Sequence, residues 1–150
     1  KLSPPLRTED ARRAVVAAIA DGTIDAIASD HAPHDQESKR LPFAQAEPGV
    51  VGLETLLALS LELHHKGEVP LLDLLRRLTM GPANLLGLSA GRLVKGSPAD
   101  LVLFDLDRPW RIDAARFHSK SKNTPFDTRP VQGRVVQTLV DGRALFDSAP

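Results

Sequence analysis

The sequence predicts an α/β fold that gives way to a small β-rich piece, and three observations carry that prediction. A capped amphipathic helix over residues 8–22 passes through a very short turn into a mostly apolar run, Thr23–Ala28, that reads as a buried strand. Behind that run stands Ser29-Asp30-His31-Ala32-Pro33-His34, an acidic residue and two imidazoles at or just past the strand's C-terminal end. Near Leu88 helical periodicity stops, and Gly91, Gly96 and Pro98 punctuate short β-type runs.

In chain order, Ser3-Pro4-Pro5 is extended, because each proline pushes the residue before it out of the helical region. Thr8 caps the first helix, with Glu9 and Asp10 in the turn where the helix dipole favours anions. Ala11, Val15, Ala18 and Ile19 share its apolar face, and Gly22 ends it. The strand Ile24–Ser29 follows, and Pro33 stops it. Residues 34–49 form a polar loop with Pro42 and Pro48, of a length that in compact domains often carries function. A strong helix follows from Leu53, its face made of Leu53, Leu56, Leu57, Ser60, Leu61 and His64, with Gly67 as its stop. His64 and His65 read as an exposed helix end rather than ligands. Pro70 opens a helix with the stripe Leu71, Leu74, Leu75 and Leu78, and Pro82 starts a short one over Ala83–Leu86.

Beyond Leu88, Ala99–Asp105 is a strand, Val131–Val140 another, and Asp141-Gly142 turns the latter into the returning Ala144-Leu145-Phe146. Between them Ser119–Phe126 is a polar, basic loop; it lacks the glycine cradle of a phosphate loop and reads as solvated or packing. The layout is an α/β piece over residues 1–88 and a β piece over 89–150. One strand cannot make a sheet, so the α/β piece needs partners from polypeptide outside this chain.

Composition narrows the function classes. The 150 residues carry 19 basic and 19 acidic side chains, dispersed, with no basic face for nucleic acid. No apolar run approaches the ~18 residues that span a bilayer, and no secretory signal opens the chain. Cysteine is absent, which excludes disulfides and thiolate metal sites and fits a reducing, cytoplasmic compartment. The chain opens without methionine on Lys1-Leu2-Ser3-Pro4-Pro5-Leu6-Arg7, which reads as the middle of a loop, so a piece of a longer protein is expected.

The chemistry centres on Asp30 and the imidazoles after it. Asp and His hold divalent zinc and shuttle protons near neutral pH, and in parallel α/β barrels the C-terminal strand ends bear the active site. The plainer reading makes Asp30 a cap and the histidines loop residues.

The chain resembles the C-terminal third of a class I dihydroorotase, in the amidohydrolase superfamily. The resemblance rests on Ser3–Arg7, on Asp25-Ala26-Ile27-Ala28-Ser29-Asp30-His31-Ala32-Pro33-His34 and on Gly49-Val50-Val51-Gly52-Leu53-Glu54. It continues through Gly91-Arg92-Leu93, Ala99-Asp100-Leu101-Val102, Ser119–Phe126 and Gly133-Arg134-Val135. It implies the end of a (β/α)8 TIM barrel with Ile24–Asp30 as last strand, a small β-sandwich segment, and zinc at the barrel mouth. It implies reversible closure of N-carbamoyl-L-aspartate to L-dihydroorotate in pyrimidine synthesis. Asp30 matches the aspartate that touches metal and transfers the proton. His34 matches a histidine that donates to the substrate carboxylate, and Pro48 and Gly49 a pair that meets substrate through backbone. His31 is expected to pack or support. Ser3 stands where active relatives usually have a substrate-contacting asparagine. The other metal ligands, including a His-x-His pair, are expected upstream, and the 150 residues alone are expected to be inactive. The expected partners are the small-molecule substrate, the missing N-terminal part of the barrel, and a homo-oligomer or aspartate transcarbamoylase. The alternative is a non-catalytic dihydroorotase-like subunit that assembles with aspartate transcarbamoylase.

Overall fold

Residues 1–148 are described by the structure, a computed structural model; the last two positions of the expected 89–150 piece lie outside them. Helix α1 spans Glu9–Asp21, capped by the Thr8 hydroxyl, which accepts from the Ala11 N–H, and stopped by Gly22. Its buried stripe is Val16, Ile19 and Ala20, while Val15 is half exposed. The inward face is therefore rotated from the expected one, because the helix must meet Val69 and Leu74 beneath it.

The expected strand over residues 24–30 is not a ladder strand. The Ile24 N–H bonds the Ala18 carbonyl at 2.9 Å and the Ile27 N–H bonds the Arg77 carbonyl at 2.9 Å. A single parallel bridge joins His31 to Val50. A strand exists through its neighbours, and among the described residues none runs beside 24–30.

The 34–49 stretch, expected as a loop throughout, contains a short helix, α2 over Gln36–Arg40. Asp35 caps it, accepting from the Ser38 N–H at 2.8 Å, and Lys39 and Arg40 close it. Helix α3, Leu56–His65, begins three residues later than expected, since Leu53–Thr55 form a turn and Leu53 is exposed. Helix α4, Leu71–Leu78, buries the foreseen stripe, with Leu74 fully enclosed. Helix α5 runs over Met80–Leu85, two residues ahead of Pro82. Proline fits there because the first turn of a helix needs no N–H from it.

Strands β1 (Leu101–Arg111), β2 (Pro130–Val140) and β3 (Arg143–Asp147) form an antiparallel sheet in the order β1-β2-β3. The β2–β3 hairpin turns on Asp141 and Gly142, both at positive φ, 49° and 74°. β1 is longer than the expected Ala99–Asp105: after a register shift between Asp105 and Pro109 it pairs again, Trp110 with Val131. Pro109 hides this extension from the sequence, yet on an edge strand beside an irregularity it is tolerated. A three-residue 3-10 turn, Ala114–Arg116, leads toward the 119–126 loop.

Helix α3 joins the helical layer to the sheet. Leu61 belongs to a core with Ile19, Val69 and Leu74, and Ala58 to a second with Ile112 and Val131. β2 lies so close to the helix that a Cβ at Gly133 would stand 2.3 Å from Leu61 Cδ1, and Gly133 has φ +92°. Trp110 Nε1 donates to the Gly133 carbonyl at 2.9 Å from the neighbouring strand. His64 and His65, expected to be exposed, are half-buried. The irregular stretch of β1 brings Asp107 over the helix end, its Oδ1 3.9 Å from His65 Nε2.

Candidate functional site

Asp30 stands exposed at the end of the 24–30 segment, just before the His31–Val50 bridge. It lines a concavity of about 420 Å³ together with Ser3, Gly49, Thr55 and Phe126. The fold thus gathers three of the sequence-predicted site residues, Ser3, Asp30 and Gly49, around one hollow. His34 and Pro48 pair with each other instead: His34 Nε2 is 3.0 Å from the Pro48 carbonyl oxygen.

Gly49 explains how two turns come together. Its φ is +109°, and a Cβ there would stand 2.5 Å from the Ala32 Cβ, so only glycine lets the backbone approach the turn after Asp30. The backbone polar groups of Pro48 and Gly49 already have partners in the chain. The Gly49 N–H donates to the Lys1 carbonyl at 2.9 Å. The Gly49 carbonyl accepts from Lys39 Nζ at 2.9 Å and from Asn123 Nδ2 at 3.3 Å. Pro48 has no N–H, and His34 engages its carbonyl. A ligand meeting this pair through backbone has the second lone pair of the Pro48 oxygen to use, or must displace Lys1.

His31 turns inward to the chain. Its Nδ1 accepts from the Gly52 N–H at 3.2 Å and the Leu53 N–H at 3.5 Å, so the ring proton sits on Nε2. It thereby holds the turn that leads into α3. Asp35, at the base of the loop, has its carboxyl held below the usual range, chiefly by the Ser38 backbone N–H.

Asn123 is the residue that sequence reasoning missed. Its Nδ2 donates to the Ala32 carbonyl at 2.9 Å as well as to Gly49, and its Oδ1 accepts from the His34 N–H at 3.3 Å. Its own carbonyl accepts from the Val51 N–H at 3.1 Å. The 119–126 loop that carries it is therefore a packing loop pressed against the site. Glu54 anchors the start of that loop, its carboxylate accepting from the His118 and Ser119 N–H groups at 2.9 and 3.1 Å. Nothing in the loop's composition singles out Asn123, because its partners lie some 74 to 91 positions away.

A catalytic zinc needs about three protein ligands. Among the described residues no group of three or more His, Cys, Asp or Glu side chains could hold a metal ion. The residues present therefore do not by themselves make a zinc centre, and Asp30 is the one sequence-predicted ligand they offer. Nor is any helix among the described residues long and apolar enough to cross a membrane.

Comparisons with known proteins bear on this arrangement. The amidohydrolase family model matches residues 3–145. The chain is 52% identical over 146 residues to a dihydroorotase of Wolbachia sp. subsp. Drosophila simulans (strain wRi), covering 97% of this chain and 33% of the relative. It is 50% identical, with the same coverage, to a dihydroorotase of Anaplasma phagocytophilum (strain HZ). It thus spans about a third of the length of these curated relatives. Among solved structures, the L-hydantoinase (dihydropyrimidinase) of Arthrobacter aurescens superposes with a TM-score of 0.94 at 35% identity, over 100% of this chain and 35% of that one. The dihydropyrimidinase of Brevibacillus agri NCHU1002 gives 0.91 at 27% identity, over 97% of this chain and 33% of that one.

Proposed function

The chain belongs to the amidohydrolase family, and from that premise we propose that it is part of a zinc-dependent dihydroorotase, which reversibly closes N-carbamoyl-L-aspartate to L-dihydroorotate in pyrimidine synthesis. The observation that carries this reading is the exposed Asp30 carboxylate facing the same hollow as Ser3 and Gly49, in a chain half of whose residues match dihydroorotases.

In ring opening, water attacks the cyclic amide carbonyl and the C–N bond breaks. Asp30 takes the proton from the attacking water and returns it to the departing amide nitrogen; closure runs the same transfers backwards. The Pro48 carbonyl takes the Nε2–H of His34, so the ring donates to a substrate carboxylate by giving up that contact or, as an imidazolium, through Nδ1. Ser3 can keep one hydrogen bond of the asparagine it replaces, with less reach. Pro48 and Gly49 shape the wall opposite. Zinc belongs to this reading, with Asp30 as one ligand and the others on polypeptide outside these 150 residues. That polypeptide would complete the barrel whose last strand is residues 24–30, and would join β1–β3 in a β-sandwich. It would also cover the exposed leucines 6, 85, 86, 88 and 93. On this account residues 1–88 are barrel and 89–150 sandwich, the protein is cytoplasmic, and the 150 residues alone neither turn over substrate nor bind zinc tightly.

The test is turnover by the zinc-loaded full-length protein, followed on dihydroorotate, hydantoin and dihydrouracil in parallel. Dihydroorotate opening with little activity on the other two is the expected result. Hydantoin opening without dihydroorotate opening would assign the protein to its structural neighbours' chemistry instead. Inactivity on all three would return it to the non-catalytic subunit, for which only the departure at Ser3 speaks.

A further inference from the structure

We propose that Asn123 is a positioning residue of the candidate site: one side-chain amide from the β-rich piece locks the Ala32–His34 turn to the Pro48–Gly49 turn, and so sets where His34 and Gly49 stand relative to Asp30. This rests on the functional reading above only for the identity of the substrate.

The case is geometric. The amide bonds three main-chain groups on the two turns, Ala32 O, Gly49 O and His34 N–H, at 2.9, 3.3 and 3.3 Å. All three contacts are to backbone, so they fix the path of the chain. A fourth bond, from the Val51 N–H to the Asn123 carbonyl, seats the residue itself. The other direct polar link between the turns is the Ala32 N–H to the Val50 carbonyl at 3.0 Å, beside the His34–Pro48 contact. Only an amide offers a donor and an acceptor in this disposition. A carboxylate would set an oxygen against the Ala32 and Gly49 carbonyls, and a hydroxyl or methyl could not reach both turns. Among the described residues no hydrogen bond joins Asn123 to the Asp30 carboxylate, so the residue acts on binding geometry and not on the proton transfer.

The test compares Asn123→Ala, Asn123→Asp and Glu54→Ala in the full-length protein. Glu54 anchors the same loop at His118 and Ser119, away from both turns. Its variant loosens the loop without cutting the clamp. Both Asn123 variants should raise KM for dihydroorotate tenfold or more, with kcat changed less than threefold. Glu54→Ala should lower Tm comparably while KM stays within twofold of wild type. Amide hydrogen exchange over 31–34 and 49–52 is read alongside and should quicken in the Asn123 variants alone; it reports the clamp even in a protein that opens no dihydroorotate. Should Asn123→Ala fail to fold, the near-isosteric Asn123→Asp carries the same comparison. Wild-type KM and exchange in both Asn123 variants would overturn the proposal, as would equal changes in Glu54→Ala. Wild-type inactivity with exchange confined as stated would instead defeat the functional reading and leave the clamp standing.

Discussion

The sheet over 101–147 and the turns over 29–52 are held by different kinds of bond. The sheet is a ladder of neighbours: β2 and β3 meet across a two-residue turn, and β1 pairs along β2 over most of its length. It rests on α3 through Ile112, Val131 and the Gly133 backbone. The turns have one isolated bridge and little apolar burial apart from Ala46 and Val51. They are held by side chains reaching to distant backbone: Asn123, Lys39 and His31. Ladder and core give cohesion that does not depend on any single polar group. Single polar contacts place a few atoms accurately and fail one at a time. The first arrangement suits a scaffold, and the second suits a site.

The largest expected effect separates the two regions outright. Asp30→Ala in the full-length protein should lower kcat by about a hundred- to ten-thousand-fold, the range for losing a general acid–base group. Tm should stay near wild type, because the side chain is exposed. Stopped-assay kinetics with a thermal melt checks both; an active variant would remove Asp30 from the chemistry. Leu61→Ala should do the reverse. Leu61 is fully buried between the helical core and β2, and emptying such a site costs about 2–5 kcal/mol. The urea midpoint should fall sharply while KM of the surviving folded protein holds. A KM shift as large as that of the Asn123 variants would mean the scaffold and the turns are not separable.

This difference also decides what could be read in the sequence. The β2–β3 hairpin was legible because Asp141-Gly142 and alternating residues are neighbours in the chain. So were the α1 cap at Thr8 and the α4 leucine stripe. The apolar residues of the 24–30 segment predict a strand, yet a ladder needs neighbours that the described residues do not include. Pro109 masked the extension of β1, since proline argues against a strand everywhere except beside an irregularity or on an edge. At the candidate site, resemblance and residue type single out Asp30 and Gly49, and the fold sets both on one hollow. Asn123 is not singled out, because one asparagine in a polar loop looks like any other until the chain has folded back on itself.

Asp35 probes the seam between the two arrangements. It is a local cap, of the kind sequence does reveal, inside the site's own loop. Asp35→Ala should weaken α2 modestly, as the loss of an N-cap does. The cost should appear as faster hydrogen exchange over 36–40, since α2 buries no residue. Lys39 lies on that helix and holds the Glu47 and Gly49 carbonyls at 2.6 and 2.9 Å. A modest rise in KM should therefore accompany the fraying; its absence would show that Asn123 positions Gly49 without help from α2.

The smallest effect comes from polar bonds that are both local and exposed. Glu9 receives Arg12 at 2.8 Å and Arg13 at 3.1 Å across one turn of α1. The Arg12 hydrogen bonds first, then that of Arg13, lower its carboxyl from 4.5 to about 2. A folded value below the unfolded one means that the ionised form is the stabilised form. Its contribution is thus complete above about pH 4.5 and is lost as the pH falls toward 2. Glu9→Gln should lower Tm slightly at pH 6, and the difference should shrink steeply as the pH falls from 4.5 through about 2. The pairs are fully solvated, where salt screens them, so the gap at pH 6 should also shrink in high salt. A gap as large at pH 2 as at pH 6 would assign the effect to helix propensity instead. Bonds of the same chemical kind are thus expected to differ in consequence by where they lie: within one helix turn they adjust stability a little, and between distant segments they join two turns of the candidate site.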